Sequence, residues 1–182
     1  MSEDQRVSRN PAEPAKDARL STAGLWSAYL DWQRGDLLAG VRSLAPEQQR
    51  RSAVPSGWTP LELLSHAAHM EQRWFVWGFL GEPVAAPWGD WDGDPTSGTA
   101  RWQVTATFDE VAAQLESVAA RTRSVLASHP LDAVAATGGR FDSDPPSLEW
   151  ICFHVLAEYA RHAGHLDLAV EILTDPTRRL VR

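Results

Sequence analysis

Four stretches of the chain carry apolar residues at the spacing of an amphipathic helix. The first predicted helix covers about residues 21–44 and the third about residues 108–128, each with leucines or valines three or four positions apart. Pro130 follows the third stretch and is expected to end it. No segment alternates apolar and polar residues as a strand would, so the pattern predicts an all-α four-helix bundle.

The second and fourth predicted helices have marked starts. Thr59 and Glu62 form the pattern of a capping box, which predicts a helix over residues 60–80. Ser147 is the expected N-cap of the last helix, which should run to about residue 173. Both helices stop where glycine or proline follows.

The remaining segments are predicted to be irregular. Residues 82–105, between helices 2 and 3, form a long Trp-rich loop, and loops of that length inside a compact domain are usually functional. Residues 45–57 form a short polar connection. Residues 1–19 are polar and are expected to be a disordered or loosely attached tail, which leaves residues 20–182 as one bundle domain.

Composition excludes several classes of protein. The single cysteine, Cys152, excludes an internal disulfide framework and a cysteine-based zinc module, and fits the reducing cytoplasm. A net charge of −7 without a basic tract argues against a nucleic-acid partner. No apolar run approaches the ~18 residues that span a bilayer, so no membrane association is expected.

A histidine of the second helix points into the bundle. With His66 at zero on a helical projection, its neighbours within about 80° are apolar or aromatic: Leu63, Met70, Trp74 and Trp77. A lone inward histidine of this kind is often a hydrogen-bonded core residue, so His66 alone does not define a site.

The last helix carries an unusual number of ionisable residues on a face that also carries core residues: His154, Glu158, Arg161, His162 and His165. Residues four apart have Cβ atoms about 5–6 Å apart, so Glu158 and His162 can reach one ion. A third ligand must come from another helix, where His66 is the candidate. The simpler interpretation is that these groups only satisfy one another, for instance through an Arg161–Glu158 ion pair.

Nine tryptophans stand against two tyrosines, and such wide rings suit the walls of a pocket. Trp74 and Trp77 fit a helix core as well as a pocket wall. Trp88, Trp91 and Trp102 lie in the long loop and are the candidates for a pocket lid.

Two segments resemble a known superfamily. Residues 55–60 (PSGWTP) and 66–75 (HAAHMEQRWF) resemble the second helix of the DinB/YfiT-like superfamily. Residues 150–167 (WICFHVLAEYARHAGHLD) closely match the last helix of its actinobacterial mini-circle-protein branch. The resemblance extends over about residues 25–173, and the last-helix motif is its specific part.

The resemblance implies a four-helix bundle that holds a divalent metal with three side chains. The implied ligands are His66, Glu158 and His162. Glu158 occupies a position at which the superfamily commonly has a second histidine, but relatives of the mycothiol-dependent maleylpyruvate isomerase also have a glutamate there. Zinc is the first candidate metal, with nickel, iron or manganese as alternatives. His154, His165 and Arg161 are then expected to act beside the metal or on substrate.

The function that the resemblance implies is a transferase that uses a low-molecular-weight thiol of the mycothiol type on a small electrophilic substrate. Trp74, Trp77, Trp88 and Trp91 are the expected pocket residues. Two alternatives remain: a hydrolase using the same metal, and a non-enzymatic binding protein. Relatives are often dimers, so a homodimer is an expected partner state.

Overall fold

The structure is a computed structural model that describes residues 12–14, 16 and 19–175. Its helices are α1 (Thr22–Arg42), α2 (Pro46–Gln49), α3 (Pro60–Gln72), α4 (Phe108–Ser128) and α5 (Leu148–Thr174). Two short strands, β1 (Trp91–Asp92) and β2 (Arg101–Trp102), pair antiparallel between α3 and α4. The predicted tail lies largely outside the described residues. No described helix has an apolar stretch of the kind that crosses a membrane.

The four long helices pack side by side around one apolar core, which confirms the predicted all-α bundle. Each helix contributes wholly enclosed side chains at helical spacing: Leu30 and Leu37 from α1, Leu63 and Leu64 from α3, Leu115 from α4, Ile151 and Leu166 from α5. Such side chains are the main source of stability, because each leaves water completely on folding.

Capping residues start the helices where the sequence predicts. Thr59 Oγ1 accepts from Glu62 N while Glu62 Oε2 accepts from Thr59 N, at 3.3 and 2.8 Å. Ser147 Oγ accepts from Trp150 N at 3.3 Å at the start of α5. These side chains satisfy backbone N–H groups that have no partner within the helix.

The structure differs in detail from three of the predicted segments. The helix predicted over residues 60–80 is α-helical only to Gln72 and continues as a π-helix over Arg73–Phe79, in which Leu80 N donates to Phe75 O at 3.1 Å. The connection over residues 45–57 contains α2, and the long loop contains the β1–β2 hairpin. A π-helical turn still pairs backbone N–H and C=O groups along the helix, only with partners five residues apart. The spacing of apolar residues therefore does not distinguish it from an α-helical turn.

A buried glutamate connects all four long helices. Glu71 of α3 is wholly enclosed and accepts hydrogen bonds from Arg34 of α1 (Nε–Oε2 2.8 Å, Nη2–Oε1 2.6 Å). It also accepts from Thr122 of α4 and from Tyr159 of α5, the latter at 2.5 Å. Burial and the neighbouring carboxylate raise the pKa of Tyr159, which keeps its hydroxyl protonated as the donor.

Substituting Glu71 by alanine is expected to destabilise the protein by about 3–5 kcal/mol, because the Arg34 guanidinium would remain buried without its anion. Glu116→Ala is the matched control, since Glu116 pairs with Arg123 at an exposed position on α4. Chemical unfolding of both variants tests this. Equal, small losses in the two variants would show that Glu71 does not hold the helices together.

Candidate metal and substrate site

The first element of the site is a histidine held by a buried carboxylate. His66 of α3 is buried, and its Nδ1 lies 2.7 Å from Oδ2 of Asp90. Arg73 donates to both oxygens of Asp90, at 2.5 and 3.2 Å, and to Pro87 O at 2.8 Å. A proton on Nδ1 of His66 satisfies Asp90 and leaves Nε2 with its lone pair free to bind a ligand.

The second element is a histidine without a hydrogen-bond partner. His162 of α5 is buried, and neither of its ring nitrogens makes a hydrogen bond to any residue that the structure describes. Burial, helped by the positive charges of His66, His165 and Arg161, lowers the pKa of His162 to about 3. Burial also lowers the pKa of His66, although Asp90 opposes that shift. Both imidazoles are therefore neutral near pH 7, the form that binds metals.

Glu158 completes the predicted ligand set. Its Oε2 lies 3.4 Å from Nε2 of His162, and the His66 and His162 rings lie 5.1 Å apart between centroids. Two ligands about 2.1 Å from a tetrahedral zinc ion are themselves about 3.4 Å apart. Within the described part of the chain, no three His, Cys, Asp or Glu side chains already form a metal-binding group. Even so, the unpartnered His162 nitrogens, the carboxylate and the oriented His66 fit a divalent cation in donor type.

Two tryptophans of the β1–β2 hairpin cover this pair of histidines. The Trp102 ring stacks on His66 at 4.2 Å and lies 5.5 Å from His162, while Trp91 meets His66 edge-on at 6.0 Å. Both indole N–H groups are buried and have no hydrogen-bond partner within the described part of the chain. Buried donors of this kind normally find a partner, so a ligand or water is expected beside them.

A cavity of about 390 Å³ opens next to the hairpin. Its walls include Trp58, Glu62, Trp91, Arg101 and Trp102. Because Trp102 contacts both the cavity and the two histidines, a molecule in the cavity lies beside the candidate metal ligands.

The other ionisable residues of α5 lie around this centre. His154 is half-buried between Trp74 and Trp150, with ring centroids 4.2 and 5.3 Å away. His165 is exposed and its ring lies 5.9 Å from that of His162. Arg161 is exposed and its Nη1 lies 3.4 Å from Oε1 of Glu158. The structure thus gathers His165 and Arg161 beside the predicted ligands, whereas His154 packs among aromatic rings.

The remaining predicted pocket residues, Trp74, Trp77 and Trp88, make ring contacts with residues other than His66. Trp74 packs on His154 and on the Arg140 side chain, whose Cζ lies 4.2 Å from the ring centroid. Trp77 meets Trp88 edge-on at 6.4 Å, and Trp88 lies against the Arg73 guanidinium at 4.5 Å. Trp74 and Trp77 lie within the π-helix, whose wider turns differ from the regular α-helix assumed in the projection.

Comparison with known protein families matches residues 25–175 to mycothiol-S-transferase. The chain belongs to the mycothiol-S-transferase family. This match confirms the resemblance to DinB/YfiT-like proteins and supports a mycothiol-related transferase with a thiol and a small molecule as substrates. No curated protein matches the chain.

Sequence reasoning missed Asp90 and Arg73, which orient His66 in this family member. Asp90 lies 24 positions after His66 in an irregular segment, where no periodicity marks it. General chemistry offered a way to find Asp90, because a metal-binding histidine usually donates its other ring N–H to a carboxylate or carbonyl. The long loop between the predicted helices offered few acidic residues for that purpose.

Cys152 lies in the core and is expected to take no part in the chemistry. It is wholly buried on α5, and burial raises the pKa of its thiol to about 12. A thiol of that pKa is protonated at neutral pH and does not react.

We expect iodoacetamide to leave Cys152 of the native protein unmodified at pH 7.5 and to modify it fully in guanidinium chloride, as measured by mass spectrometry. Rapid labelling of the native protein would contradict the buried position.

Proposed function

We propose that this chain joins mycothiol, through its thiol sulfur, to a small electrophilic substrate, with a divalent cation held by His66, Glu158 and His162. The observation that carries the proposal is a cluster of buried polar atoms without partners. These are both ring nitrogens of His162 and the indole N–H groups of Trp91 and Trp102, all in rings around His66. Gln33 Oε1 is the one other such atom in the described residues.

When bound, the cation would lower the pKa of a thiol and so supply a nucleophilic sulfur at neutral pH. Residues of the chain itself keep both histidines in the protonation state that binds a metal. Asp90 keeps the Nδ1 proton on His66, and burial keeps His162 unprotonated. The low polarity around both rings strengthens any charge interaction formed there.

The transfer forms one bond between sulfur and the electrophilic carbon. The thiol gives up its proton, and the exposed imidazole of His165 beside His162 can pass that proton to solvent. In a substitution, the leaving group departs with the electron pair of its bond to carbon. In an addition to an activated double bond, that electron pair moves to the neighbouring atom, which takes up the proton.

The hairpin would hold the reacting molecules and exclude water. Trp91 and Trp102 each offer a buried N–H donor and an aromatic face, which suits a polar molecule with a ring. Because the two rings lie opposite each other across β1 and β2, one movement of the hairpin would shift both together. Such loops commonly admit substrate and then exclude water.

The wild-type protein is expected to bind about one equivalent of zinc and to consume monochlorobimane only when mycothiol is present. His162→Ala should lose both properties, since it removes a central ligand. His165→Ala, one turn further along α5, is the matched control and should keep its metal. Elemental analysis and bimane fluorescence measure the two properties.

Three results would contradict the proposal. Full metal content in both His66→Ala and His162→Ala would remove the assigned ligands. Metal-dependent cleavage of esters or amides without thiol would favour a hydrolase. Protein without bound metal and without thiol-dependent turnover would favour a binding protein.

Asp90→Asn is expected to weaken zinc binding about 10- to 100-fold, because an amide orients and polarises His66 less well than a carboxylate. Asp92→Asn is the control, since Asp92 is exposed two residues away in β1. Competition with a chromophoric chelator gives both affinities, and thermal unfolding checks that each variant is folded. Identical affinities in the two variants would show that Asp90 has no influence on the site.

A further inference from the structure

Arg140 is a half-buried cation without an anion. Its guanidinium lies between two indoles, with Cζ 4.2 Å from the centroid of Trp74 and 5.6 Å from that of Trp88. Its side chain makes no hydrogen bond and no ion pair with any residue in the described ranges. The neighbouring Arg73, in contrast, donates hydrogen bonds to the Asp90 carboxylate and to Pro87 O.

The position of Arg140 is fixed by its backbone. Arg140 N donates to Trp77 O of the π-helix at 3.2 Å. The preceding Gly139 packs so closely that a Cβ there would lie 2.3 Å from the same carbonyl oxygen, so only glycine fits. The guanidinium is therefore presented by a rigid contact between the α4–α5 connection and the π-helix, and not by a loose loop.

Arg140, in the α4–α5 connection, is linked to the candidate active site through Trp74 and Trp88. Trp74, which carries the guanidinium on its ring, also packs against His154 at 4.2 Å. Burial lowers the pKa of His154, the charge of Glu158 opposes that shift, and the charge of Arg140 adds to it. Trp88 joins Arg140 to Arg73, the residue that holds Asp90 and through it His66.

Keeping an unpaired guanidinium partly out of water is unfavourable. Burial, together with the positive charge of Arg73, lowers the pKa of Arg140. The two indole faces offset only part of the cost of burying the guanidinium. Stacking leaves the N–H groups in the plane of the guanidinium without acceptors. Those donors match the two oxygens of a carboxylate.

We propose that Arg140 binds a carboxylate group of the electrophilic substrate and so makes this enzyme selective for anionic electrophiles. The inference rests on the proposed function, since it concerns the second substrate of the same site. Arg101, on the cavity wall, and Arg161 are also near the centre, but both are exposed to water and Arg161 already pairs with Glu158. Arg140 is a specificity-determining residue in this assignment and takes no part in activating the thiol.

A matched pair of electrophiles tests the proposal: 1-chloro-2,4-dinitrobenzene, which is neutral, and 4-chloro-3,5-dinitrobenzoate, which carries a carboxylate. In both, sulfur bonds to the ring carbon, chloride leaves with the electron pair and the thiol proton goes to solvent. For Arg140→Gln we expect the KM of the benzoate to rise about 10- to 100-fold, as for loss of a charged hydrogen bond. Its kcat, and both constants for the neutral compound, should change little.

Two further variants complete the test. Arg140→Lys keeps the charge but loses the planar fork, so its KM for the benzoate should lie between those of wild type and Arg140→Gln. Arg121→Gln is the control, because Arg121 forms an exposed ion pair with Glu82. An equal change in KM for both electrophiles, or none for either, would overturn the proposal.

A binding measurement separates this inference from the proposed function. Calorimetric titration with 4-nitrobenzoate should give binding to wild type and at least tenfold weaker binding to folded Arg140→Gln, whereas 4-nitrobenzamide should bind both alike. That result without any thiol-dependent turnover would contradict the proposed function and leave the carboxylate site intact. Turnover combined with equal benzoate binding by both proteins would contradict the carboxylate site alone.

Discussion

The carboxylate of Glu71 lies at the centre of the bundle, where side chains of α1, α4 and α5 all donate hydrogen bonds to it. Its bond to Tyr159 has the greatest effect on the site. Glu71 follows His66 by five residues, and Tyr159 stands between Glu158 and His162. The bond therefore sets the register between α3 and α5 that brings the two histidine rings within 5.1 Å. Apolar packing alone tolerates sliding between helices, whereas a buried carboxylate with four donors has one low-energy register.

The bundle and its helix limits were predictable because they depend on local signals. The capping box at Thr59, the cap at Ser147 and the apolar periodicity of α4 act within a few residues of one another. The predicted ligands also come from one periodic pattern: Glu158 and His162 lie a turn apart on α5, and His66 lies on the inward stripe of α3. That these three hold a metal remains a prediction.

The parts that sequence reasoning missed depend on contacts between distant segments. Asp90 meets His66 across 24 positions, and Glu71 meets Arg34 across 37. On a regular projection Glu71 faces away from His66, and its burial among donors from three other helices has no local mark. The π-helix also has no local mark in the sequence. The projection, which assumed a regular α-helix, placed Trp74 near His66, and the structure places its ring against His154.

The charges around the site are relevant to the role proposed for Arg140. Glu158 stands where the resemblance to DinB/YfiT-like proteins implies a second histidine, so it would lower by one unit the charge of any metal complex formed there. Arg73 balances Asp90, and Arg161 is largely in solvent, where its field is screened. Arg140, in contrast, is partly buried and has no anionic partner among the described residues. Because it lies in the α4–α5 connection, the selectivity that we propose for it could change without disturbing the candidate ligands on α3 and α5.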